Sequence, residues 1–508
     1  MKRTEITSSA QVLKKTQPEE FDLVILGGGT GSTIAAWTFA GEGKRVAVVD
    51  RKYIGDSCPN IARLPSKNII HAAKVASLFG RHQEFGIETG PVAINMPGVY
   101  ARKRKMVDDL MKLHLDQYQA SGAELICGNA QFTGPRTLQV ALRDGGERKV
   151  TAERVFVNVG THATIPEIPG LADAKPMTHI EALDLERLPE HVIVLGGGYV
   201  GLEFAQAMRR FGSRVTLIAQ EPQLAPKEDA DVAQAILELF RDEGIDVLLR
   251  TQVLSIRGIS GEHVHLQIED EAGTRTVEGT DILAALGRTP NTQGIGLEKA
   301  GIEVTELGHI RVNDRLETTA PNVWALGECA GSPYFTHVSE DDFRIVHANL
   351  NGGNRSTRDR LIPYCVFTDP PLGRVGVTES QARANNIAYR VASLTMDAVP
   401  RTGTLSETPW FMKVVIEAHS DRILGFAAFG PEAGKLISIV QIAMLLKQPY
   451  TLLRDAVFIH PTMTQGFESL FARVPKRRDA AIEKRDYAGT SAHKNQTNEQ
   501  SENVDRSL

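Results

Sequence analysis

Cysteine is scarce: four in 508 residues (Cys58, Cys127, Cys329 and Cys365), scattered without the paired spacing of a zinc site or the density of a disulfide scaffold. That scarcity fits a reducing compartment and indicates no metal site. Long apolar runs are missing as well. No stretch is long enough to span a bilayer, and the polar segment Met1 to Glu20 lacks the apolar core of a secretion signal, so no membrane partner is expected and the cytosol is the expected location. Neither sign of charge dominates: 57 Lys+Arg against 62 Asp+Glu leave a net charge of -5. With no nucleic-acid module in view, nothing points to a polyanionic partner.

What the chain does have is ordinary globular content, 42% hydrophobic and 23% charged, at a length that calls for two to four domains. Only the segment after Pro475, charged and rich in Asn, Ser and Gln, has the composition of a disordered tail. Phe21 to Gly27 (FDLVILG) is a short β-branched run ending in glycines, and a small-residue helical segment, Ser32 to Ala40, follows. Gly27, Gly29 and Gly31 lie on the turn between them. The next apolar strand, Arg45 to Val49, ends in Asp50, at the spacing where an acidic residue takes ribose hydroxyls in a βαβ dinucleotide site. Ser32 stands where a third glycine is usual, and it is small enough to keep helix against strand.

The same unit returns at His191 to Leu195 (HVIVL), followed by Gly196, Gly198 and Gly201, a helix beginning near Leu202 and the strand Arg214 to Ile218. Two copies mean two dinucleotides. A dehydrogenase with one nicotinamide needs one such fold, whereas two in series suit one bound flavin and one diffusible nicotinamide. Between the copies, Arg102 to Lys105 (RKRK) opens an amphipathic helix over Met106 to Ala120, read as a solvated helix face.

From Tyr53, the residues YIGDSCPNIARLPSKNIIHAAK resemble the redox-active segment of the class I pyridine nucleotide-disulfide oxidoreductases, with the mercuric reductase-like branch nearest in flavour. VNVGTHATIPEIPGL (157–171, carrying Gly160) resembles the strand crossing out of the FAD domain, and ALGRTPN (285–291, carrying Gly287) the return. NVWALGECAG (322–331) resembles the second FAD motif, FTHVSEDDFRIV (335–346) the helix under the flavin, and IHPTMTQG (459–466) the active-site histidine motif. The resemblance implies an α/β fold of two Rossmann-like dinucleotide-binding domains plus a C-terminal α+β dimerisation domain. The expected segments are a polar extension 1–20, FAD-binding 21–165, NAD(P)-binding 166–285, FAD-binding and central 286–358, dimerisation 359–474 and a tail 475–508. A homodimer is implied in which each site borrows its histidine from the partner. Glu328 falls at the carboxylate that holds the flavin's ribityl chain, usually aspartate, and Thr336 and His337 at the helix start facing the flavin N1 and O2 edge. Lys67 and Glu203 resemble the ion pair beside flavin N5. Tyr199 resembles the aromatic gate that nicotinamide displaces.

Two departures set the expected chemistry. The family's disulfide joins cysteines four residues apart, and the first is matched by Cys58 while the second is Arg63. The histidine is kept as His460, but the glutamate that orients it is Gln465, whose amide stabilises imidazolium far less than a carboxylate would. Ordinary disulfide reduction is not expected. Arg63 has three open readings: it favours reduced anionic flavin, it clamps an anionic acceptor, or it turns to solvent or to a carboxylate. Cys58 reads as an inert thiol before a peroxidase centre, and Cys127, Cys329 and Cys365 as core residues. The expected function is an FAD-dependent NAD(P)H oxidoreductase that hands electrons to a small non-disulfide acceptor such as a quinone or a metal complex. A single-thiol or residual disulfide reductase and a silent flavoprotein sensor dimer are the alternatives. NADH is weakly preferred over NADPH, because Gln220 and Pro226 stand where arginines would meet a 2′-phosphate, beside Glu221 and Lys227.

Overall fold

Apolar runs buried on both faces make parallel strands that need helices on either side. In the computed structural model, which describes residues 17–53, 55, 57–358 and 360–477, Glu19–Leu26 lies between Val46–Asp50 and Glu147–Val157, all parallel. Glu124–Gly134 continues the sheet beyond Val46–Asp50, and Val323–Ala325, from far along the chain, closes the other edge. Both 11-residue strands overrun the parallel layer and are bridged there by antiparallel Thr137–Leu142. Most of the polar extension and of the tail lies outside the described residues.

Five helices place the site: α1 (Thr30–Gly41), α2 (Arg63–Gly80), α3 (Met96–Ser121), α4 (Tyr199–Phe211) and α5 (Thr336–Leu350). Helices α1 and α5 cover one face of the first sheet, where Ala35, Ala36 and Phe39 meet Phe156, Phe343 and Val346. Both helices after the glycine turns begin earlier than the sequence suggested, because the turn residues themselves enter the first helical turn. Helix α3 begins ten residues early for another reason. Pro97 sits in its first turn and the Asn95 side chain accepts a hydrogen bond from the Gly98 N–H at 3.2 Å, an N-terminal stop placed upstream of the basic run. Arg104 and Lys105 pair with Asp108 and Asp109 one turn on, as a solvated face does. Lys103 does not. It is 2% exposed and bonds Asp184 at 2.6 Å, so one member of RKRK ties α3 to the next unit.

The second unit repeats the design with a parallel sheet of Asp281–Ala284, His191–Leu195, Arg214–Ile218 and Asp246–Leu248. A three-stranded antiparallel sheet (Gln252–Ile259, His263–Asp270, Gly273–Gly279) is inserted before its last strand. The two crossing segments pair with each other, Thr161–Ala163 antiparallel to Arg288–Pro290. The C-terminal region is a five-stranded antiparallel sheet with the helix Ala433–Leu445 packed on it through Leu436, Ile437 and Val440. No helix among the described residues is long and apolar enough to cross a membrane.

Candidate active site

One cleft of about 1840 Å³ runs from the first glycine turn to the second. Its ends are built alike. Gly27 and Gly196 have φ of +94° and +111°, and a Cβ on either would collide with a carbonyl of the neighbouring parallel strand's exit, Asn158 or Ala285. Each turn therefore requires glycine on two counts. Gly29 and Gly198 cap α1 and α4 without any side-chain hydrogen bond, so both helix starts present backbone donors and positive dipole ends to the cleft. Gly31 and Gly201 do not line it. They sit within the first turn of each helix, where a Cβ would strike the Ser339 carbonyl of α5 or the Gly196 carbonyl. Gly160 and Gly287 line the cleft at the paired crossing segments.

Asp50 accepts the Gly28 N–H at 2.7 Å and the Lys52 and Tyr53 N–H groups at 2.8 and 3.1 Å, which holds its carboxylate at the mouth of the first turn. Ser32 is fully buried and donates to the Asn158 side chain at 3.0 Å. Asn158 in turn donates to the Leu326 carbonyl, so the missing third glycine is absorbed by a polar link across the sheet. The donor set and the two bare turns fit a dinucleotide at each end: glycine turns and α1 for the pyrophosphate of FAD with Asp50 at its ribose, α4 for that of the nicotinamide.

Between the ends, Lys67 of α2 bonds Glu203 of α4 at 2.6 Å. The other oxygen of Glu203 accepts the Phe367 N–H at 2.8 Å, which fixes the pair in place. Cys365 lines the cleft beside this pair and is not a plain core residue; burial, with Glu203 adding to it, pushes its thiol up to about 12, so it stays protonated. Cys329 is fully buried, as expected, and burial holds its thiol at about 12 too.

Tyr199 is held by a network the sequence did not reveal. Its hydroxyl donates to Glu228 at 2.7 Å, Tyr364 donates to the same oxygen at 2.6 Å, and Arg374 pairs with the other oxygen at 2.9 Å. Burial raises both phenols, and the adjacent Glu228 carboxylate raises them further. Tyr364 stacks on Tyr199 on one side and on Phe335 on the other, and Phe335 stacks on His337. His337 donates to the Pro363 carbonyl at 2.8 Å, and burial lowers its pKa. Thr336 donates to the Cys58 sulfur at 3.4 Å.

Arg63 turns to a carboxylate. It bonds Glu328 at 2.7 Å and the Tyr334 carbonyl at 3.0 Å, so the third of its readings is the one found. Glu328 also accepts from Thr161 and pairs with Arg288 at 3.3 Å. Burial works to raise the Glu328 pKa, yet the Arg288 and Arg63 guanidiniums and the Thr161 hydroxyl outweigh it and leave the group below its ordinary value. Arg288 lay in the quoted ALGRTPN segment, but nothing in one sequence tied it to Glu328. His179, another lining residue without a sequence signal, is held at about 4 by burial and by Arg288, hence neutral. His460 and Gln465 are absent from the cleft lining. The His460 Nδ1 bonds the side-chain amide oxygen of Gln465 at 2.8 Å in an exposed segment beside Val457 and Ile459, which are 99% and 78% exposed.

Two dinucleotide turns opening into one cleft, with a lysine–carboxylate pair between them, define a flavin- and nicotinamide-using oxidoreductase. Residues 21–342 match the pyridine nucleotide-disulphide oxidoreductase family and residues 362–470 its dimerisation domain, and the chain belongs to that family. It is similar to the probable pyridine nucleotide-disulfide oxidoreductase RclA of Escherichia coli (34% identical, covering 90% of this chain and 99% of that protein). The mercuric reductase of Acidithiobacillus ferrooxidans is 33% identical, over 89% and 82% of the two chains. Among solved structures, the Cu(II) complex of the HOCl-induced flavoprotein disulfide reductase RclA from Escherichia coli aligns with a TM-score of 0.81 at 33% identity, covering 89% and 99%. The chain is thus an FAD-dependent pyridine nucleotide oxidoreductase, and its dimerisation domain supports a homodimer.

Proposed function

We propose that this enzyme takes electrons from NADH in preference to NADPH and passes them to a small non-disulfide acceptor, a quinone or a metal complex. The observation that carries this reading is Arg63, a guanidinium tied to Glu328 where the family's second cysteine would stand. FAD, when bound, supplies the hydride-accepting centre and the two-electron store. This chain's residues supply the rest: Lys67 and Glu203 orient the meeting point of the two cofactors, and Tyr199 excludes water from it until nicotinamide enters. Because Arg63 and Arg288 share the one carboxylate of Glu328, the cluster keeps a single net positive charge and tunes charge at the flavin less than two free guanidiniums would.

Gln220, Glu221, Pro226 and Lys227 line the second end of the cleft. Glu221 repels a 2′-phosphate and Lys227 offers the only lysine among these four residues, which favours NADH. Anaerobic titration of the yellow holoenzyme with each nicotinamide, followed by an acceptor screen, tests the proposal. Copper(II) heads the screen, since matched RclA structures are Cu(II) complexes. Rapid turnover with a quinone, Cu(II) or Fe(III) complex and negligible turnover with glutathione disulfide is the expected result. Family-like rates with a small disulfide would overturn it.

A further inference from the structure

The three-stranded sheet inserted in the second unit buries Val264, Leu266 and Ile268 of its middle strand against Ile193 and Val253. Strand alternation then turns His263 and His265 together to the outer face, and a slip of one residue would bury both imidazoles. Across the hairpin, His265 lies directly opposite Glu278, and their side chains approach at 3.3 Å. The imidazole centroids are 4.9 Å apart. One ligand atom from each of His263, His265 and Glu278 falls within 4.8 Å of the other two.

We propose that these three side chains form a binding site for a borderline-soft divalent transition cation, with Cu(II) bound more tightly than Zn(II). Two imidazoles and one carboxylate are the donors such ions take, and Cu(II) heads the affinity order for a given nitrogen and oxygen site. Metal–ligand bonds of about 2.0–2.2 Å set donors roughly 3.3 Å apart around a tetrahedral ion. The remaining closure of about 1.5 Å is within reach of side-chain rotation at a site where His265 and Glu278 are 45% and 63% exposed. Water completes the coordination on the open side. Arg257, opposite His265 on the other neighbouring strand and also exposed, is the one cation paired directly across from the site and weakens it. Because donors come from two strands, the ion staples the hairpin, so binding stabilises the folded protein by mass action.

The test uses the oxidised, FAD-loaded enzyme without nicotinamide, so that flavin chemistry cannot change the metal. Titration with Cu(II) sulfate, read by electron paramagnetic resonance, is expected to give one equivalent per chain with hyperfine coupling to two imidazole nitrogens. Zn(II), followed by calorimetry, is expected to compete for it. H263A/H265A should abolish that signal while leaving NADH oxidation with a quinone unchanged. E278Q should weaken binding by at least about tenfold, since even loss of a supporting partner costs a metal site that much. R257E should tighten it, a gain that misfolding cannot mimic. Unchanged stoichiometry and spectrum in the double histidine variant, or no Cu(II) bound by the wild type, would overturn the site without touching the flavin reading.

Discussion

Glu328 is one carboxylate serving two guanidiniums and a hydroxyl, and its protonation state decides what those partners are worth. Its folded pKa is lowered, so its contribution to stability is fully present above the ordinary carboxylate value and is lost as pH falls through the lowered one. Arg288→Met removes one counter-charge from a largely buried group. At neutral pH we expect a loss of about 3 kcal/mol, the scale of a broken buried pair. The gap from wild type should start to narrow below the ordinary carboxylate value and close only once pH has fallen through the lowered one, which a series of thermal melts from pH 7 down through the acid range would show; a gap independent of pH contradicts the assignment. Tyr199 carries a second prediction. As the proposed gate, Tyr199 gives up a bond to a buried carboxylate when nicotinamide enters, at a cost of about 1.5–3 kcal/mol. Tyr199→Phe removes that cost while Tyr364 and Arg374 keep Glu228 satisfied. The KM for NADH is expected to fall by about tenfold or more with kcat little changed, and an unchanged or higher KM in steady-state assays would mean that the hydroxyl does not latch the gate.

Elements are joined here by buried charges that periodicity cannot report. Lys413, on the strand Phe411–Glu417 of the C-terminal sheet, is 4% exposed at its side chain and reaches Asp229 at 2.9 Å and Asp231 at 2.7 Å, at the start of a helix of the second nucleotide unit. Despite burial, Lys413 and the Ser380 N–H and hydroxyl hold Asp229 at about 2. Lys413→Met leaves Asp229 without its counter-charge, and we expect a loss of about 3 kcal/mol seen as a lower melting temperature of the purified holoenzyme. Substituting exposed Lys105 the same way should leave the melting temperature nearly unchanged. The strands and the glycine turns were legible in sequence because hydrophobic period and turn chemistry are local. Helix starts were less so: Asn95 and Pro97 cap α3 well upstream of its amphipathic pattern, and one basic run contains both a solvated Lys105 and a buried Lys103. The partners of Ser32, Arg63 and Tyr199 could not be read at all, since Asn158, Glu328 and Glu228 reach them only through the folded chain. His263, His265 and Glu278 were invisible for the same reason, as a hairpin register brings them together.

At the scale of the whole molecule, His460 lies on an exposed apolar segment of the dimerisation domain, apart from the cleft of its own chain. The family resemblance implies a two-fold dimer in which one chain's segment meets the other's cleft, and on that reading Arg63 and Gln465 are expected to act across the interface although they belong to separate chains at each site. Wild type is expected to lack both disulfide reduction and the long-wavelength absorbance of a thiolate against flavin. R63C/Q465E should gain both, because position 63 then offers a thiol partner for Cys58 and His460 regains a carboxylate on the nitrogen that now meets Gln465 at 2.8 Å. R63C alone should gain the absorbance with slow turnover. Mixing the single variants tests the sharing itself. With R63C and Q465E chains co-folded in equal amounts, only mixed dimers hold a complete site, one of their two, so about a quarter of all sites are restored under two-fold symmetry. If each chain instead used its own histidine, no mixed dimer would contain a complete site, and the mixture would reduce disulfides no faster than the average of the two single variants.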